Sequence, residues 1–332
     1  MSKTSSDLVR HALHGPTMGT RWTALFFAPP ERDPAPIREA LQAAVEEVDA
    51  QMSSWKPDSD LMRLNAAAQG EWVAVPERLA EVLRLGLEIG KASEGAFDIG
   101  LGDAVTAWGF GPEDAAPDRI RAAMSAQRQP AFERLELDDG RARKRGPLVL
   151  DLNGIAKGYG VDRLAQTLAA QGIEAGLVGI DGELRASGLR PDGTPWTIAV
   201  ESPDPMRRTP HSILALENAS VATSGDYRHW IDLGARRLSH TMDLSRGAPL
   251  LSSPASVTVV ARSCAEADAW ATALMVLGPE GGPTLARKYQ FSALFLMREE
   301  DGSVSSVGEG SLFSVSVPDP SSTLEARGAD GV

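Results

Sequence analysis

A chain of 332 residues with 42% hydrophobic side chains is long enough for one large domain or two ordinary ones, and apolar enough to bury a core. Its 33 Lys and Arg against 45 Asp and Glu leave a formal charge of -12, which excludes nucleic acid as the main partner, because phosphate-backbone binding runs on clustered cations. The one cysteine, Cys264, excludes a disulfide framework, a Cys-ligated zinc and an iron–sulfur cluster, and no apolar run approaches the roughly 20 residues of a membrane span.

In chain order, Arg21 to Phe27 reads as a strand ended by Pro29-Pro30. Pro36 to Val48 is an amphipathic helix with Ile37, Leu41, Ala44, Val45 and Val48 on one face. A short helix carrying Leu61, Leu64 and Asn65 follows, then a long one from Pro76 to Ser93. Gly95 opens a glycine-punctuated loop that runs to Trp108-Gly-Phe110. The basic run Arg141 to Arg145 reads as a solvated hairpin ahead of an apolar strand, Pro147 to Leu152. A glycine turn then leads into a helix from Tyr159 to Ala170 that stops at Gly172. Strands are expected at Leu177–Ile180, Leu184–Ser187, Trp196–Val200, Ser212–Leu216, Ala219–Ala222, His229–Ile231 and Ser256–Ala261. A helix from Ala265 to Leu277 precedes closing strands at Phe291–Met297 and Ser311–Val317. With helices early and strands late, the chain reads as α+β around a mixed, largely antiparallel sheet, in one intertwined unit. Residues 1–16 are expected to be an N-terminal extension, 17–317 the domain, and 318–332 a Ser-, Pro- and Gly-rich flexible tail.

The segment Leu150-Asp-Leu-Asn-Gly-Ile-Ala-Lys-Gly-Tyr-Gly160 passes from strand to glycine turn to helix start, a geometry whose amides favour anions. It is not a P-loop, because Lys157 precedes Gly158, and it lacks the third glycine of a dinucleotide fingerprint, where Arg163 stands. Its residues alone fit an ordinary strand-to-helix turn equally well. The same segment resembles the Leu-Asp-Leu-Gly-Gly-Ile-Ala-Lys-Gly-Tyr motif of the ApbE family of FAD:protein FMN transferases. Further stretches resemble that family in the same order: Thr17-Met-Gly-Thr20, Met52-Ser-Ser-Trp55 with Asp58-Ser-Asp-Leu61, Gly95-Ala-Phe-Asp98 with Trp108-Gly-Phe-Gly111, Thr223-Ser-Gly-Asp226, Ser239-His-Thr-Met-Asp243 with Gly247, and Ala267-Asp-Ala-Trp-Ala-Thr272. The resemblance implies an ApbE-like, T-fold-related unit.

Asp268 and Thr272 sit four apart on a helix and so project from one face. A carboxylate and a hydroxyl so placed suit a hard cation such as Mg²⁺. Local propensity alone favours a Thr bonded back to its own turn and an Asp near a helix start. The resemblance makes Asp268 and Thr272 metal ligands, together with the Gly154 carbonyl. Some family members place a second Asp where Ala271 stands, and that ligand is absent here.

His240 is one of five histidines, and an imidazole is suited to accept a proton near neutral pH. A hydrogen-bonded structural histidine is the equal alternative. The resemblance assigns catalytic roles to His240, as general base, and to Asp268. Met18, Trp55 and Phe97 are apolar residues in polar or glycine-rich loops; core packing accounts for any one of them taken singly, and a flat ring system would stack on them. By resemblance Met18, Trp55, Ala96, Phe97, Asp98, Asp151, Lys157 and Thr241 contact FAD. Two positions depart from the family pattern. Asp181-Gly182 stands where two glycines are usual, and Asn153 replaces the first glycine of the turn. Both bear on substrate fit.

The implied activity is Mg²⁺-dependent transfer of FMN from FAD onto a Thr or Ser hydroxyl of an acceptor flavoprotein, with release of AMP. The family's acceptor motif resembles Asp-Gly-Ser/Thr-Gly-Ala-Thr and does not occur in this chain. An FAD pyrophosphatase and a non-catalytic flavin carrier are the alternatives. As written the chain is expected in the cytoplasm, or in the periplasm if a leader has been removed.

Overall fold

The computed structural model describes residues 8–204, 206–227, 230–233, 236–299 and 301–313, with only the backbone described for 230–233, 236 and 237. Its main sheet has eight strands: β1 (Val9–Thr17), β2 (Thr20–Ala28), β3 (Gly176–Ile180), β4 (Glu183–Ser187), β5 (Ala219–Gly225), β6 (Ser256–Ala261), β7 (Ser292–Arg298) and β8 (Val304–Glu309). They lie side by side in chain order, and every neighbouring pair is antiparallel. The functional parts are insertions between these strands. Between β2 and β3 come α1 (Ala35–Met52), α2 (Asp60–Ala66), α3 (Glu77–Ala92), α4 (Gly102–Ala107), α5 (Pro117–Ser125), α6 (Ala131–Arg134) and α7 (Ala156–Ala170). Between β6 and β7 runs α8 (Cys264–Tyr289).

The alternation of β2 explains the layering. Trp22, Ala24 and Phe26 face Ile37, Leu41 and Val45 of α1 and Val161, Leu164 and Leu168 of α7. Leu25 and Phe27 face the opposite way, onto Trp196, Ile198, Val200, Leu214 and Leu216 of a two-stranded hairpin, Trp196–Glu201 with Pro210–Leu216. The sheet is therefore covered on both faces, with each fully buried large side chain contributing about 2 kcal/mol. A larger cluster joins α3, α8 and the loop residues Phe97, Ile99, Leu150 and Leu152.

The expected α+β class and antiparallel pairing stand, and the apolar residues read for α1 and α2 are buried. Several boundaries differ. Val9–Thr17, all but its last residue in the expected extension, is a full strand, paired with β2 along its length. Pro147–Leu152 is extended but makes only one bridge, Leu101 to Val149, because its amides are otherwise held by Asn65 and Ile99. The loop after Gly95 contains α4. The strand closing the sheet is Val304–Glu309; residues 311–313 form a turn, and 314–332, including the expected tail, lie outside the described residues, as does His229. The helix expected to end at Leu277 meets Gly278 at φ 65, then resumes to Tyr289. The basic run does form a hairpin, Arg141–Lys144 against Leu135–Asp138, with Arg143 and Arg145 on Glu136, but Ala142 and Lys144 are buried rather than solvated.

Candidate active site

One end of the sheet carries the tight turns Met18-Gly19, between β1 and β2, and Asp181-Gly182, between β3 and β4. A cleft of 1370 Å³ opens there, walled by the α1–α2 loop, the loop after α3, the start of α7, the side of α8 and the end of β5. All the residues expected at the site line it: Met18, Trp55, Ala96, Phe97, Asp98, Asp151, Gly154, Lys157, His240, Thr241, Asp268 and Thr272.

Its floor is the junction of α7 and α8. Ser263 and Glu266 form a capping box that fixes where α8 begins, which puts Asp268 on the first turns, facing α7. Asp268 Oδ2 accepts the Gly158 amide at 3.0 Å, from the first turn of α7. Gly158 has no space for a side chain: a Cβ would come 2.3 Å from the Cys264 carbonyl oxygen. The close approach is reciprocal, since Asp162 of α7 accepts the Cys264 and Ala265 amides at 2.9 and 3.0 Å.

Burial, then the nearby Glu183 charge, raises the Asp268 carboxyl to about 7, against the opposing pull of Lys157. Thr272 Oγ1 donates to the Asp268 carbonyl at 3.3 Å and lies 3.2 Å from Ser224 Oγ. Gly154 is beside it, since a Cβ there would lie 3.2 Å from Thr272 Oγ1 and from Phe97. Asp268, Thr272 and Gly154 thus line one cleft, and a carboxylate, a hydroxyl and a backbone carbonyl are donor types that suit a hard divalent cation rather than zinc. Residue 271 is a fully buried alanine, so that position offers no further carboxylate. Among the described residues no group of three or more His, Cys, Asp or Glu forms a metal cluster.

Lys157 projects from the first turn of α7. Its Nζ donates to Glu183 at 2.8 Å and to Asp181 at 3.4 Å. Burial alone would lower its pKa, but Glu183, Asp268 and Asp181 outweigh that and hold it raised and charged. Asp151 accepts the backbone and side-chain amides of Asn153 at 2.9 and 3.0 Å. Asn153 therefore shapes the turn through its side chain, and it does not occupy the left-handed region. Asp181 does, at φ 59, the conformation that favours the glycine usual there. Asp98 accepts Gly100 at 2.6 Å and Ala131 at 2.9 Å, so both its oxygens brace the loop against α6.

The aromatic residues split in role. Phe97 is buried in the core and presents only an edge to the cleft, whereas Trp55 is 58% exposed on the cleft wall, open to a planar ligand. The His240 ring meets the Phe110 ring edge-on at 6.3 Å between centroids, and Thr241 beside it is buried against Ser239. Glu183 and Ser224 were not singled out from the sequence. Each belongs to a segment that was noted, but their contacts span 26 and 48 residues, and nothing local marks them.

This scaffold and cleft have close counterparts. The sequence model of the ApbE family matches residues 18–295. The FAD:protein FMN transferase of Vibrio cholerae serotype O1 is 38% identical over 87% of this chain and 88% of its own length. That of Escherichia coli K12 is 33% identical over 87% and 84%. Among solved structures, the flavin transferase ApbE from Vibrio cholerae superposes with a TM-score of 0.81 at 35% identity, covering 91% of this chain and 97% of that one. The Pseudomonas stutzeri flavinyl transferase ApbE, in its apo form, gives 0.80 at 36%, covering 91% and 95%. The family match, together with relatives that share this fold over most of their length, makes the chain an enzyme of the transferase class. The chain belongs to the ApbE family.

Proposed function

We propose that this enzyme transfers FMN from FAD to a hydroxyl of another protein. The observation that carries the reading is the convergence, in one cleft, of an oxygen donor set (Asp268, Thr272, Gly154), a charged Lys157 at a helix start and an exposed Trp55. The relatives named FAD:protein FMN transferase support the choice of donor. The Lys157 ammonium at the start of α7 is the group a pyrophosphate would meet, and Trp55 offers a face to a planar ring.

Asp268, Thr272 and the Gly154 carbonyl would hold Mg²⁺. When bound, the ion supplies neutralisation of charge on the pyrophosphate oxygens. His240 takes the proton of the acceptor Thr or Ser hydroxyl. That oxygen attacks the phosphorus on the riboflavin side, a phosphoester to FMN forms, and the bond to AMP breaks. Asp98 and Asp151 act indirectly, by bracing the loops that carry Phe97 and Gly154. Met18, Ala96 and Thr241 complete the walls.

The test is to incubate the enzyme with FAD, Mg²⁺ and a peptide carrying Asp-Gly-Ser/Thr-Gly-Ala-Thr, then separate the products. Flavin fluorescence on the peptide with stoichiometric AMP is expected. Free FMN and AMP with a bare peptide would make the protein a pyrophosphatase, and intact FAD would make it a carrier.

A further inference from the structure

We propose that two carboxylates divide control of Lys157: buried Glu183 is a positioning residue that aims the ammonium into the cleft, and exposed Asp181 is a competitor that an anionic ligand must displace. The proposal deepens the reading above and rests on Lys157 meeting the FAD pyrophosphate.

The two acids flank one turn. Ile180 pairs with Glu183, so Asp181-Gly182 is the whole connection between β3 and β4. Their surroundings differ sharply. The Glu183 side chain is 4% exposed and lies 2.8 Å from Lys157 Nζ; that of Asp181 is 47% exposed and lies at 3.4 Å. A buried carboxylate cannot release its cation without leaving an uncompensated charge in a medium that solvates it poorly. The Glu183 contact is therefore fixed, and it limits where the ammonium can point. An exposed carboxylate at longer range is held weakly and is readily replaced by water. The Asp181 contact is the one that a phosphate oxygen can displace.

Two further features set Asp181 apart. Its φ of 59 is a conformation that glycine adopts freely, so the turn itself does not call for a carboxylate there. Lys56 and Arg208 also line the cleft, but they pair with Asp49 and Glu201 and not with Asp181. The cation for which Asp181 competes is therefore Lys157.

Charge counting alone says that neutralising either acid tightens an anion. The proposal gives the two acids opposite signs. FAD binding is measured by flavin fluorescence at fixed Mg²⁺, with thermal melts to confirm folding. Asp181→Asn, which tolerates the left-handed turn, is expected to lower the FAD Kd about threefold. Glu183→Gln is expected to raise it about tenfold, although it removes a negative charge. Glu183→Asp keeps the charge, shortens the reach, and is expected to raise Kd as well; it serves if the Gln variant does not fold. Both Asp181→Asn and Glu183→Gln tightening binding, or Glu183→Asp leaving Kd unchanged, would overturn the proposal while leaving the flavin reading intact. Wild-type FAD binding indifferent to Lys157→Ala would overturn the proposal and the assignment of Lys157 together.

Discussion

Asp268 Oδ2 accepts the backbone N–H of Gly158 at 3.0 Å, which ties the side of α8 to the first turn of α7. The contact places a carboxylate beside amides that would otherwise face the cleft, so one residue serves both helix packing and the oxygen donor set. Substitutions that separate these two tasks are the informative ones.

Asp268→Asn retains an acceptor for Gly158 and removes the charge. Metal-dependent turnover is expected to fall at least about 100-fold, as for loss of a charge-stabilising group at a phosphoryl centre, with a melting temperature close to wild type. Steady-state kinetics with the acceptor peptide, beside a thermal melt, check both halves.

Gly158→Ala attacks the packing instead. Its Cβ would fall 2.3 Å from the Cys264 carbonyl oxygen, a backbone atom that cannot turn aside. Separating the helices should cost about 1–3 kcal/mol, read as a lower denaturant midpoint with unchanged slope.

The half-buried carboxyls of Asp98 and Asp151 give a pH signature. Burial raises each to about 6 from 3.8, against the amides that favour the charged form. Between those values the folded chain binds more protons than the unfolded one, so their contribution is fully present below about pH 4 and is lost as pH rises through 6. Urea midpoints of the metal-free protein should decline across that window, and Asp151→Asn should flatten the decline.

Trp55→Ala tests the stacking wall. Trp55 is mostly exposed, so its removal should leave thermal stability within about 0.5 kcal/mol of wild type. The FAD Kd should rise about three- to tenfold, matching the loss of one aromatic contact, as measured by fluorescence titration.

Much of this was legible in the sequence where the signal is local. Ile37, Leu41, Val45 and Val48 mark α1 by spacing, and the residues assigned by motif to FAD and the metal do share one cleft. β1 is hard to read because, although its burial alternates, the inward positions are His11, Leu13, Gly15 and Thr17, of which only one is a large apolar residue. Pro147–Leu152 reads as a strand because its apolar residues run together; Leu148, Leu150 and Leu152 are indeed buried in the core, but the segment makes a single bridge and no ladder. Glu183 and Ser224 escaped because each is defined by a partner far along the chain. The acidic charge of the whole chain does not show where single cations sit: Lys157 reaches the cleft from the first turn of α7, held between Glu183 and Asp181.

The most direct measurement is the intact mass of the acceptor peptide after incubation with enzyme and FAD, in Mg²⁺ and in excess chelator. A gain of one FMN on the peptide in Mg²⁺, absent in chelator and absent with Asp268→Asn, is the predicted result. An unmodified peptide in Mg²⁺, or equal modification with and without the metal, would contradict the account.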